Sequence, residues 1–418
     1  MEQRLEGLAE QVKEQFGLRD YTLAREHIHR RVGPNRETQF IYSMEWFPSD
    51  SDQDDEDLNP EGTASIEVDV HTGQLQHVIF VGGVTHAESI VLDDEAKVRR
   101  WIETETGVNV AEQTEQASGE IRTYQYHSMI DGIRTTPAGT IEIRLDEAGR
   151  LVFFTIHGRF PQKEEADVES FALTTEKVKE IVMEQLQLLE FPVMEKECFV
   201  SAFALEEIYM TNDGRETLPF QLFWSEQRVE RDEILTYSSP LRGTVETQEI
   251  DLSEEVSLEQ LKKQEPHPDL EPLEPGTVDR VDKAIVRFLR MNHPEDSGKW
   301  RWKNVCRDHG YVVAELEEVE KTRAVFQRKL KLFLSKDGGE VLTHIDTGAF
   351  LEMFDAFEAA DTAQYTKTEA YELLKDKLKL RPTYVLDRTT GRYCLCGLLD
   401  CDDAVLSHSG EIVPLADL

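Results

Sequence analysis

Four residues near the C-terminus, Cys394, Cys396, Cys401 and His408, carry side chains that could hold a metal. If the chain around Cys394 is a strand, Cys394 and Cys396 share one face, and a following turn brings Cys401 and His408 round as third and fourth ligands. Thiolates and imidazole suit zinc. The spacing C-x-C-x4-C lacks the wider gap of zinc knuckles, however, and small cysteines also fill strand interiors as apolar groups. Two readings therefore stand, a zinc site and plain core packing. Asp50, Asp52, Asp54 and Glu61 take the first, third, fifth and twelfth places of a calcium loop. Asp55 stands where that loop needs glycine and Asp57 where an apolar residue is normal, so a solvated acidic loop is expected. Cys306, Asp308 and His309 offer a thiol, an acid and a base, but neighbours on one element do not set a base against its nucleophile. His27 and His29 stand two apart beside Arg25, Arg30 and Arg31, the one locally basic patch, which is expected to balance nearby acids. Trp300 and Trp302 alternate about Arg301 and read as core edge. There is no phosphate loop, no H-E-x-x-H and no G-x-S-x-G. No catalytic residue is assigned, and the protein is expected not to be an enzyme.

The whole composition narrows the partners. The chain has 46 Lys and Arg against 83 Asp and Glu, a net charge of −37. Such a surface repels nucleic acid and anionic lipid. It reads first as a solubility device and second as a match for a cationic partner. At 418 residues, 39% of them hydrophobic, two or more domains are expected. No stretch has the apolar length of a membrane span. Leu5, Leu8, Ala9, Val12 and Phe16 fall at helical spacing, so the N-terminal stretch reads as a folded helix rather than a leader. Five cysteines, an odd number, fit a reducing compartment. A cytoplasmic protein is expected, with envelope association the alternative were an export segment to precede it.

The elements that would position these residues are mostly hairpins. Ile141, Ile143 and Leu145 alternate with polar residues, Asp146 to Gly149 turns the chain, and Leu151 to Ile156 returns. The same pattern runs through Ser65 to Phe80, Lys331 to Leu342, Val385 to Leu395 and Val405 to Val413. Helical stripes precede them. One follows a cap at Asp93; one follows Thr174 with Val178, Ile181, Val182, Leu186 and Leu189. Another starts near Thr277, and the last opens on the capping-box pair Thr366 and Glu369. Prolines and acids alternate from Gln264 to Gly276 and read as a linker. The fold class expected is α+β, tandem repeats of one amphipathic helix packed on a small antiparallel sheet. The boundaries are 1–164 for an N-terminal pair of units, 165–263 for a middle unit, 264–276 for the linker and 277–418 for C-terminal units.

The turn text resembles that of PepSY-type domains, and the tandem arrangement resembles the bacterial YcdB/YcdC repeat family. The residues concerned are Val68-Asp69 with Thr72-Gly73-Gln74-Leu75, Leu145-Asp146 with Gly149-Arg150-Leu151, and Leu386-Asp387 with Thr390-Gly391. Met129-Ile130-Asp131-Gly132-Ile133 resembles the family's middle repeat, and Tyr384 to Val413 its terminal one. The resemblance implies a non-enzymatic module that binds a protein or peptide, including inhibition or regulation of a peptidase, and it brings no catalytic residues or cofactor. Two readings of other classes stand beside it: a zinc-binding protein centred on Cys394, Cys396, Cys401 and His408, and a structural scaffold.

Overall fold

The computed structural model describes residues 1–49, 59–88, 90–110, 113–118, 121–219, 228–243, 245 and 247–418. The acidic run Asp50 to Asp57, and the strand expected at Pro219 to Trp224 beyond its first residue, lie outside them. The chain forms two compact units. The first takes Met1–Val168, Ser253–Leu270 and Tyr384–Cys394, and the second Glu169–Leu252, Glu271–Thr383 and Leu395–Leu418.

In the first unit, helix α1 (Glu2–Gln15) buries Leu8 and Val12, with Phe16 just beyond its end. It stops at Gly17, whose φ of +62° suits glycine and whose Cβ, were there one, would sit 2.4 Å from the Glu88 carbonyl oxygen. Strands β1 (Tyr21–Val32), β2 (Thr38–Pro48), β3 (Ala64–Asp69) and β4 (Leu75–Phe80) follow. Helix α2 (Glu95–Thr106) is capped by Asp94, whose carboxylate accepts from the Lys97 N–H at 2.8 Å. The cap thus falls one residue after Asp93, which instead pairs with the Lys97 ammonium at 2.6 Å. Strands β5 (Gln113–Ser118), β6 (Ile121–His127), β7 (Thr140–Leu145) and β8 (Leu151–His157) complete an eight-stranded sheet in the order β1-β2-β3-β4-β8-β7-β6-β5. One face is apolar: Tyr42, Met44, Ile66, Val78, Phe154 and Ile143 share a core with the inward residues of α1 and α2. The other is polar. A row of paired residues crosses seven strands on that face, His27, Ser43, Glu67, His77, Thr155, Glu142 and Gln125.

Three turns in this unit share one device. The Asp69 carboxylate accepts from the N–H groups of His71 and Thr72, and the Gly73 N–H returns to the Asp69 carbonyl. Asp146 with Gly149 and Asp387 with Gly391 repeat it. Each glycine has a φ between +71° and +76°, the left-handed conformation that closes the turn.

The second unit holds two larger apolar cores, each built by helix on sheet. Strands β9 (Leu186–Val193) and β10 (Cys198–Leu205) form a long hairpin behind the short helix α3 (Lys179–Gln185). Strand β11 (Val229–Leu235) begins a five-stranded sheet, β11-β12-β13-β14-β15, with β12 (Trp300–Asp308), β13 (Tyr311–Glu318), β14 (Lys329–Leu334) and β15 (Val341–Asp346). Helix α4 (Thr277–Asn292) lays Val281, Ile285, Phe288 and Leu289 on Trp300, Trp302, Leu316 and Leu332 of that sheet. Both tryptophans are fully buried, deeper than the core edge expected for them. Helix α5 (Lys367–Leu374) opens on the Thr366–Glu369 capping box, and its Ala370 and Leu374 join Val182 of α3 and Phe203 of β10 in a second core. Strands β16 (Asp403–Leu406) and β17 (Ile412–Pro414) extend the hairpin into a four-stranded sheet, β9-β10-β16-β17.

The expected fold class is corrected. Among the described residues 39% are strand and 22% helix, arranged in four sheets, so the protein is mostly β and not an α+β tandem array of one helix on a small sheet. Two physical facts overturn that reading. Alternation and turn residues report local hairpins but are silent on which edges join, and the pairing of β4 with β8 fuses hairpins that looked like separate units. The helical stripe after Thr174 also breaks early: Leu186 and Leu189 lie on β9, whose eight residues all pair with β10. Among the described residues no helix is long and apolar enough to cross a membrane.

Candidate functional site

The spacing of the C-terminal cysteines is the sharpest chemical signal in the sequence. Cys394 and Cys396 lie on the strand Arg392–Asp400, two apart as expected, with Cys394 in the first unit and Cys396 in the second. Cys396 and Cys401 are buried, each about 1% exposed, and Cys401 belongs to the core shared by α3 and α5. Burial pushes the Cys401 thiol pKa up, and its S–H donates to the Asp403 carbonyl at 3.4 Å. His408 sits exposed on the turn between β16 and β17. Among the described residues no three His, Cys, Asp or Glu side chains are grouped to hold a metal ion. His309 of the Cys306 group has a φ of +50° and, with Gly310 at +77°, makes the tight turn between β12 and β13. Its role there is backbone geometry.

The conspicuous surface of the second unit is aromatic. Phe354, only 8% exposed, is ringed by four other phenylalanines: Phe357 at 5.3 Å, Phe350 at 5.4 Å, Phe326 stacked at 6.1 Å and Phe199 at 6.2 Å between ring centroids. Phe326 and Phe350 meet edge to face at 5.4 Å while remaining 45% and 47% exposed, and Met353 beside them is 47% exposed. Three separate segments build this surface. Phe199 comes from β10, Phe326 from the loop before β14, and Phe350, Phe354 and Phe357 from the segment after β15.

One ion pair holds two of those segments. Arg328 donates to both carboxylate oxygens of Asp346, at 3.0 and 2.7 Å, and to Glu318 at 3.3 Å. Asp346 also accepts the Gly348 N–H at 2.7 Å. The hydrogen bonds to Asp346 raise the Arg328 pKa. Burial opposes charge on Asp346, yet the bonds from Arg328 and Gly348 hold its pKa below the ordinary value. Phe326 thus precedes, and Phe350 follows, a bidentate clamp. Along the segment that carries Phe350, Phe354 and Phe357 the charges are all negative. Glu352, Asp355, Glu358 and Asp361 are exposed, no Lys, Arg or His lies between His344 and Lys367, and among the described residues none of the four makes an ion pair. Spacings of four and three at Phe350, Phe354 and Phe357 were the one sequence sign of this surface, since Phe199 and Phe326 are distant in the chain.

The first unit offers a cavity of about 630 Å3 at the end of its polar sheet face, lined among others by Arg31, Gln39, Gln76, His157, Arg159 and Phe160. The basic patch expected to balance acids divides here. Arg25 pairs with Glu45 at 3.3 Å and Arg30 with Glu265 at 3.9 Å. Arg31 has no carboxylate within salt-bridge reach among the described residues. Its Nε and Nη2 donate instead to the carbonyl oxygens of Gln39, at 3.2 Å, and Gln76, at 2.5 Å. Burial lowers the pKa values of His29, His77 and His157 along this face, with Glu67 pulling each the other way.

No family model matches the chain, and no curated protein matches it. Among solved structures the Bacillus megaterium YpeB C-terminal domain is similar at a TM-score of 0.26 and 10% identity, over 82% of this chain and 96% of that one.

Proposed function

We propose that this protein is a non-catalytic binding module that docks a basic, amphipathic segment of a partner protein on the phenylalanine surface of the second unit. The observation that carries the reading is the ring of half-exposed phenylalanines about Phe354. Contiguous aromatic area of this kind costs free energy in water and marks interaction sites on globular proteins. The rim names the occupant. Four exposed carboxylates without ion pairs, spaced three residues apart along Glu352, Asp355, Glu358 and Asp361, leave a negative edge that a Lys- or Arg-bearing partner neutralises. A second copy of this chain brings the same charge to the contact and is disfavoured. Peptidase regulation, which the resemblance of the turns implies, is one consequence such docking can have.

The test uses a labelled synthetic helix with leucines and a tryptophan on one face and lysines on the other, read by fluorescence anisotropy against the intact protein. A scrambled peptide of equal composition controls for charge alone. Saturable binding of the helix, with the scramble at least tenfold weaker, supports the proposal. Equal binding of both peptides, or concentration-dependent dimerisation in sedimentation that buries these phenylalanines instead, overturns it.

A further inference from the structure

We infer that the cavity at the polar end of the eight-stranded sheet is a binding site for a carboxylate on an apolar body, either a small organic acid or the free C-terminus of a peptide. The volume, about 630 Å3, lies in the ~300–1,000 Å3 range of small-molecule sites. The charge argument rests on Arg31. A half-buried guanidinium ordinarily sits against a carboxylate, because desolvating an unpaired charge is costly. Acids outnumber bases 83 to 46 in this chain, yet Arg31 is oriented by two amide oxygens that carry no charge.

Those amides are themselves fixed. Gln39 Nε2 donates to Glu37 at 3.1 Å and Gln76 Nε2 to the Gln74 carbonyl at 3.3 Å, so both oxygens must face Arg31. Two of the three guanidinium nitrogens are thereby occupied. Nη1 has no hydrogen-bond partner among the described residues, and Arg31 lines the cavity. The guanidinium is held in one plane before any ligand arrives, the arrangement that lowers the entropic cost of binding an anion. Farther along the wall, Asn35 leads into Arg36; burial, and then the Arg36 charge, push the nearby Arg388 guanidinium down to about 10.

The ligand is a monoanion rather than a phosphate dianion. Arg159 already pairs with Glu165 at 2.7 Å, and Glu67, Asp69 and Glu254 lie close enough to act on Arg31. With these acids nearby, a second negative charge on the ligand would meet repulsion that a single carboxylate does not. The apolar part of the ligand meets Val108, Ile156, Phe160 and Pro161, which line the same cavity.

The experiment is calorimetric titration of the whole protein with N-acetyl-leucine and, in parallel, N-acetyl-leucinamide, which has the same body without the charge. The acid is expected to bind at least tenfold more tightly, and Arg31→Gln to erase that preference. Because Arg31→Gln frees two glutamines and alters the local network, Phe160→Ala serves as a second variant. It is expected to weaken the acid severalfold while keeping the preference for acid over amide. A short peptide ending in leucine, with and without C-terminal amidation, separates the sources. Tighter binding of the free-ended peptide than of N-acetyl-leucine assigns the site to chain termini, and equal binding assigns it to small acids. Equal affinity of wild-type protein for acid and amide, or no binding of either at millimolar concentration, overturns the inference.

Discussion

Phe326→Ser with Phe350→Ser is the sharpest perturbation of the proposed docking surface, and its size follows from exposure. The two rings are 45% and 47% exposed. A phenylalanine presents roughly 200 Å2, so each leaves about 90 Å2 for a partner to cover. At ~25 cal/mol per Å2 that is about 2 kcal/mol per ring and about 4 kcal/mol for the pair. At ~1.4 kcal/mol per decade, the area alone gives a loss approaching a thousandfold. Association and side-chain ordering consume part of this, so between tenfold and a thousandfold is expected. The assay is anisotropy of the labelled basic helix at low and moderate salt, with circular dichroism confirming that the variant keeps its strands. Neutralising Glu352, Asp355, Glu358 and Asp361 together should chiefly slow association and flatten the salt dependence, because rim charges steer encounter more than they hold the complex. If the serine variant binds the helix as tightly as the parent, the reasoning from exposed aromatic area is wrong and the surface is not a docking site.

Gly391→Ala and Gly158→Ala separate backbone strain from crowding, since both glycines have φ above +70° but a Cβ at Gly391 meets nothing within 4 Å, whereas at Gly158 it meets the Ala138 carbonyl oxygen at 2.5 Å. The first should cost about 1 kcal/mol and the second about 3 kcal/mol, read by amide exchange in the first unit; equal costs would refute the crowding argument. Burial holds the folded pKa values of His29, His77 and His157 below 6.5, so the unfolded chain takes up protons first on acidification, and the stability present above pH 6.5 is lost as the pH falls toward the lower folded values. The melting temperature should therefore drop between neutral and mildly acidic pH, less steeply in His77→Gln; identical slopes would remove His77 from the account. Removal of divalent metals with EDTA should leave the melting temperature unchanged, and a fall of several degrees would support Cys394, Cys396, Cys401 and His408 as ligands.

What could be read in the sequence was local. The Asp-to-Gly turns at Asp69, Asp146 and Asp387 were visible because one carboxylate and one left-handed glycine suffice to make each. The inward stripes of α1 and α4 were visible for the same reason, since one helix face needs only its own residues. What depended on distant partners was not. Nothing in Leu75–Phe80 announces that it will pair with Leu151–His157, and a shared turn does not imply a shared domain. The metal reading of Cys394, Cys396, Cys401 and His408 rested on strand alternation, but alternation cannot tell a ligand face from a core face. The phenylalanine surface is assembled from residues 199, 326 and 350–357, and three segments that far apart leave no common pattern.

The placement of Arg31 shows how a small irregularity decides chemistry. Up to Leu23, β1 pairs Tyr21, Thr22 and Leu23 with Pro48, Phe47 and Trp46 of β2, and Leu23 packs against the apolar core. The register then slips by one, so that Arg25 rather than Ala24 lies opposite Glu45. From that bulge onward even-numbered Ile28 takes the core side, and odd-numbered His27, His29 and Arg31 turn to the polar face. A second slip, between Glu67–His77 and Val68–Leu75, leaves Gln76 as the unpaired residue of β4, and its side chain meets Arg31. Strict alternation through Leu23 would have put Arg31 in the core, where an unpaired guanidinium is not tolerated. The two bulges are thus what bring a guanidinium and its amide cradle together at one end of the sheet.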